Sequence, residues 1–265
     1  MEKQLGILIM KDENDILEEY LEKVTQYYDP IYVLDGSDDD EGREICSKFP
    51  EVVFYEKDKN VITGKSTDAI RGFLWEKAKK EVVGKKWVAI LHPDEFPESN
   101  PLEMLDMVDR FSPLSTSIVV RSLHFFLHTS QKADWNFRKG DKIEPLMKWH
   151  MAPGMYEFRF FTFDPNWVYA DVHSQVIPQG ADGRRLVVEQ FRMKQFSFRT
   201  PEQTRKRIQT RIDSGWQPND YVVLKESEDV FVDTLKWTPE LKEKYPEEGR
   251  VCWYNYDSSY VEKIN

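Results

Sequence analysis

Apolar residues in the first 110 positions fall into two alternating rhythms. LGILIM (5–10) is a short continuous apolar run, the pattern of a buried parallel strand, and IYVLD (31–35), VVFYE (52–56) and WVAIL (87–91) read as further strands. Between the first two, Ile16, Leu17, Tyr20, Leu21 and Val24 recur at helical spacing, with Asn14 or Asp15 available as N-cap. A short helix is predicted over 41–48, and Ala69, Ile70, Phe73, Leu74 and Ala78 predict another amphipathic helix. Strand and helix in alternation predict a doubly wound α/β sheet with right-handed crossovers.

The rhythm then changes. STSIVVRSLHFF (115–126) reads as a long strand, and 147–193 is rich in aromatic and β-branched residues broken by proline and glycine, which predicts antiparallel strands and loops. TPEQTRKRIQTRID (200–213) predicts a helix with Thr200 as N-cap and Pro201 in its first position. Residues 127–146 follow neither rhythm, and loops of that length often serve as lids. The tail beyond Gly215 reads as an irregular wrap.

Charge narrows the function. Lys plus Arg is 37 against Asp plus Glu at 47, a formal charge of −10, which argues against nucleic acid or an anionic membrane as main partner. Cys46 and Cys252 are far apart and imply neither a disulfide framework nor a cysteine zinc site. The N-terminal residues lack the features of a signal peptide, and no run approaches the roughly eighteen apolar residues of a transmembrane helix. The expectation is a soluble, cytoplasmic protein with no transmembrane segment.

Two of the strand-like runs end in acid: IYVLD leads into GSDD (36–39), and WVAIL into HPDEF (92–96). In an open α/β sheet, ligands bind in the crevice beyond the C-terminal ends of the strands, so both motifs would face it. Carboxylates gathered there favour a hard divalent cation, which commonly arrives with phosphate. No G-x-G-x-x-G or P-loop follows the first strand, so the dinucleotide and Walker readings lose support.

KDENDILEEY (11–20) followed by Asp35-Gly36-Ser37-Asp38-Asp39 resembles the family 2 glycosyltransferases of the GT-A fold. HPDEF sits where that family carries its Asp-x-Asp metal motif. Arg159-Phe160-Phe161, Trp167 and Val172-His173 are similar to its later Arg-x-Phe, Trp and Val-His-Glu pattern, and FSFRTPEQTRKR (196–207) to a helix of one bacterial subgroup. The resemblance implies a GT-A-type, Rossmann-like open mixed sheet with helices on both faces, followed by antiparallel strands and a helix. It further implies a domain over 1–215, with a nucleotide-binding half (1–110) and an acceptor half (111–215), and residues 216–265 as an extension packed on it.

The activity implied is metal-assisted, inverting transfer of a sugar from a UDP- or GDP-sugar type donor to a glycan or glycoconjugate acceptor. A non-catalytic binding protein descended from such an enzyme is the alternative. On this resemblance Asp94 is the first choice for Mn²⁺ or Mg²⁺, although a carboxylate after a strand also caps turns. His92 replaces the motif's first Asp and would bind metal or ribose; His173 falls where a further metal ligand can sit. Asp12 and Glu13 are expected at the base, Asp35 at ribose or uracil, and Ser37 and Asp39 in the same turn. Arg71 and Arg205 are placed at the nucleotide, with a solvated basic face as the plainer reading of Arg205, Lys206, Arg207 and Arg211. The family's Glu after the histidine is Ser174 here, which leaves Glu95, Glu157 and Asp171 as candidate bases. Trp135, Trp149 and Trp167 could stack an acceptor sugar.

Overall fold

The computed structural model describes residues 2–58, 67–152, 155–169, 177–213, 231 and 252–255. The strands are β1 (Gln4–Met10), β2 (Tyr28–Asp35), β3 (Val52–Lys57), β4 (Trp87–Leu91), β5 (Glu95–Pro97), β6 (Ser117–Phe126), β7 (Trp149–Ala152), β8 (Met155–Thr162), β9 (Arg185–Gln195) and β10 (Cys252–Asn255). The α-helices are α1 (Asn14–Val24), α2 (Glu41–Cys46), α3 (Thr67–Glu81), α4 (Pro101–Phe111) and α5 (Pro201–Asp213).

The chain divides into two compact units, Met1–Ser122 with Tyr156–Met193, and Leu123–Met155 with Lys194–Asn265. In the first, the strand order β8-β4-β1-β2-β3 joins four parallel strands to an antiparallel β8. This is the open mixed sheet expected from the sequence. The runs of β1, β2 and β4 are buried on both faces, whereas β3, at the end of the strand order, leaves Val53 55% exposed. Leu5, Ile7, Tyr32, Leu34, Val88 and Ile90 point to one side, where Ile70, Leu74, Trp75 and Ala78 of α3 pack on them. Met10 points to the other side, where a Cβ on Gly42 of α2 would lie 2.9 Å from its Cε. In the second unit β7 pairs antiparallel with the end of β6 and with β10, and Phe126 stacks on Phe198 at 4.9 Å.

Three local expectations are corrected. Helix α1 begins at Asn14 with Glu13 as N-cap and no side-chain cap bond. Asn14 is occupied elsewhere, donating to Asp39 Oδ1 at 2.7 Å. On α3, Phe73 is 41% exposed, and Trp75 takes the core position at 0%. The indole reaches Phe161 and Phe163 edge-on at 5.4 and 5.3 Å and donates to the Trp167 carbonyl at 2.7 Å, contacts a phenyl ring at position 73 does not make. Helix α4 was not anticipated, although its signals are present: Asn100 accepts from Leu102 N at 2.9 Å and Pro101 opens the helix. The predicted cap of α5 is present, with Gln203 N donating to Thr200 Oγ1 at 3.1 Å.

Candidate active site

Strands β2 and β3 extend the sheet to one side of β1, and β4 lies on the other. The switch point of the topology therefore falls between the C-terminal ends of β1 and β4, where an open α/β sheet forms its binding crevice. The loops that begin there carry Lys11, Asp12 and Glu13 on one side and His92, Pro93 and Asp94 on the other.

The β1 and β2 turns are tied to each other. Asp12 adopts a left-handed φ of 56°, which aspartate tolerates better than most residues, and its N–H donates to Ser37 Oγ at 2.8 Å. Ser37 N in turn donates to Asp35 Oδ1 at 2.8 Å. The other Asp35 oxygen accepts from the Tyr55 hydroxyl at 2.6 Å; burial and that bond push the phenol's pKa well up. Asp35 and Ser37 are fully buried, so both are committed to holding the turn. Asp39 is exposed, where its Oδ1 accepts from Asn14 and from Glu41 N at 3.1 Å. Lys57, which the sequence reading passed over, donates to the Asp39 carbonyl and lies 2.6 Å from Asp40 Oδ1. Asp12 is exposed and Glu13 half-buried.

Arg71 reaches from α3 to the end of β4, with Nη2 3.4 Å from His92 Nε2. Two residues placed at the nucleotide from sequence alone are thus brought together. The same contact bears on a metal. A guanidinium at the imidazole nitrogen repels a divalent cation there. Among the described residues no three His, Cys, Asp or Glu side chains converge on one point, while a magnesium-type ion is commonly held by one or two carboxylates together with substrate phosphates. His173 and Asp171 lie outside the described residues.

Asp94 and Glu95 follow, both buried, with Glu95 N donating to His92 O at 3.0 Å. Glu95 opens β5 and meets Arg159 of β8, whose Nη2 is 2.5 Å from its Oε1 and also bonds Glu157 Oε2. A second nitrogen of Arg159 donates to Phe158 O at 2.9 Å. Three candidates from the sequence, Asp94, Glu95 and Glu157, thus gather about one guanidinium that had been noted only as part of a motif. Burial raises the Glu95 carboxyl to about 8 against the pull of Arg159, with the Glu157 and Asp94 charges adding to the rise. The surrounding carboxylates outweigh the desolvation of Arg159 and raise its pKa further, so it stays charged. With acids in excess around one cation, the proton retained at neutral pH belongs on Glu95.

A carboxyl raised from 4.5 to about 8 on folding keeps a proton that the unfolded chain has lost. Its contribution to stability is complete below the unfolded value and disappears as pH climbs through the folded one. Melting temperature in EDTA-containing buffers is therefore expected to fall from pH 5 to about 8, and Glu95→Gln should flatten that slope. Equal slopes in the two proteins would show that Glu95 does not carry the proton.

Arg205 lies exposed on α5, in the second unit. Among the described residues no helix is long and apolar enough to cross a membrane.

No family model matches the chain, and no curated protein matches it. Solved structures overlap it in part. S. aureus TarS is 12% identical, with a TM-score of 0.43 over 80% of this chain and 40% of that one. Mannosyl-3-phosphoglycerate synthase from Rubrobacter xylanophilus is 10% identical, with a TM-score of 0.33 over 47% and 40%. Mannose-1-phosphate geranyltransferase from Thermus thermophilus is 12% identical, with a TM-score of 0.32 over 62% and 58%. The chain spans less than two thirds of the length of each. With TM-scores below 0.5 these are partial overlaps, and the fold rests on its own strand order.

Proposed function

We propose that this protein transfers a glycosyl group from a UDP- or GDP-sugar type donor to a hydroxyl of a glycan or glycoconjugate acceptor, with inversion. The observation that carries the reading is the contact of Arg71, from α3, with His92 in the turn that also holds buried Asp94, at the end of the strand that borders the switch point.

In such a transfer the anomeric C–O bond to the diphosphate breaks while the acceptor oxygen bonds to the opposite face of that carbon. The acceptor proton passes to a carboxylate, and negative charge grows on the leaving diphosphate. Arg71, charged at any working pH, is suited to meet that charge, with His92 beside it as a hydrogen-bonding partner. Asp12 and Glu13 stand where the base and ribose would lie, whereas both Asp35 oxygens are already bonded within the fold. For the general base we assign Glu157. Its side chain keeps 28% of its surface exposed, against 3% for Glu95, and Arg159 holds it in place. Asp94 is assigned to the donor's sugar–diphosphate end, and Glu95 to supporting Arg159.

The test is a thermal-shift panel of UDP, GDP, CDP and TDP, with and without Mn²⁺ or Mg²⁺. A selective rise of roughly 5 °C is expected at ligand one-hundredfold above Kd. It should be lost in Arg71→Ala and Asp94→Ala variants that keep a native circular dichroism spectrum. No shift with any nucleotide would overturn the reading. A shift without release of nucleoside diphosphate from the matching donor sugar would leave the binding-protein alternative.

A further inference from the structure

The segment after β6 is a built structure with a cavity of its own. Inside the second unit, a 3₁₀ turn at Thr129–Gln131 is capped by His128, whose side chain accepts from Ser130 N. Gln131 Nε2 ties this turn to the Leu146 carbonyl at 2.7 Å, and Ile143 and Met147 anchor the return in the core. Between the two limbs lies a pocket of about 340 Å³, whose walls include Gln131, Asp134, Trp135, Asn136, Phe137 and Lys148. That volume is at the low end of the roughly 300–1,000 Å³ of small-ligand sites.

We propose that this pocket is a carbohydrate subsite taking one neutral sugar ring. A sugar presents an apolar C–H face and an edge of hydroxyls. Trp135 and Phe137 supply ring surface for the face, and Asp134, Asn136 and Lys148 supply acceptors and donors for the edge. The charges of Asp134 and Lys148 are opposite, so the pocket favours neither phosphate nor a cation. The two rings lie 6.5 Å apart at 38°, and so form no parallel slot for a flat base. Trp135 Nε1 and Gln131 Oε1 are buried without a hydrogen-bond partner among the described residues. A buried donor and acceptor left in that state are costly.

That the sugar is the acceptor of the transfer rests on the function proposed above; that the pocket binds sugar does not. Saturation-transfer NMR on the full chain tests the binding. The probes are methyl glycosides of glucose, galactose, mannose and N-acetylglucosamine, together with maltotriose and chitotriose, at millimolar concentration. The result expected is saturation transfer to at least one sugar, strongest at ring C–H protons. Its affinity should fall roughly tenfold in Trp135→Ala and again in Phe137→Ala, while the nucleotide thermal shift stays as in the unmodified chain. Absence of binding by every sugar would overturn the subsite and leave the nucleotide result untouched. Binding unchanged in both variants, or displaced by uridine alone, would also overturn it. Sugar binding with no nucleotide shift would sustain the subsite while the transferase reading fails.

Discussion

Replacing Arg159 with methionine is expected to lower the melting temperature by roughly 10 °C, corresponding to about 3–5 kcal/mol for breaking a buried pair by removing one partner. The guanidinium is 4% exposed and bonds Glu95, Glu157 and the Phe158 carbonyl. Removing it leaves the half-buried Glu157 carboxylate without its cation and the buried Glu95 carboxyl without its partner. Arg159→Lys should recover little, because one ammonium cannot reproduce the planar fork that bridges two acids. Thermal melts at pH 7 followed by circular dichroism decide the matter. A methionine variant melting within about 2 °C of the parent would mean that the cluster is not held by its charges.

Trp75→Ala is expected to cost about 3–5 kcal/mol in urea unfolding, in the range of large-to-small changes at fully buried aromatic sites. The indole is 0% exposed and stands edge-on to Phe161 and Phe163. Its N–H satisfies the Trp167 carbonyl. Trp75→Phe keeps most of the ring contact and loses the donor, so about 1 kcal/mol should separate it from the parent. Arg71 lies one turn earlier on α3, on the same face of the helix. The alanine variant should therefore also weaken nucleotide binding, whereas the phenylalanine variant should bind normally. Equal binding by all three proteins would show that the seat of Trp75 does not position Arg71.

Much of the first unit was legible because its signals are local. A short apolar run marks a strand, and β1 to β4 appear where those runs occur, although only β1, β2 and β4 are covered on both faces. Thr200 and Pro201 announce the start of α5 in the same way. Asn100 and Pro101 mark the start of α4 by the same local chemistry. Phe73 and Trp75 differ in kind. Both are large aromatics on one helix, and nothing in their spacing says which of them meets Phe161 and Phe163.

What the sequence determined by itself is the alternation of strand and helix, the acidic turns that end β2 and β4, and the candidate carboxylates those turns deliver. Each follows from side-chain period and turn chemistry within a few residues of chain. Only the tertiary structure decided what those carboxylates do. Pairing β1 with both β2 and β4 creates the switch point. Tyr55 and the Ser37 N–H turn Asp35 inward. Arg159 gathers Glu95 from 64 residues away and Glu157 from its own strand. Contacts between distant segments depend on register and packing, which no local period encodes, and they assign one acid to holding a turn and another to the candidate site.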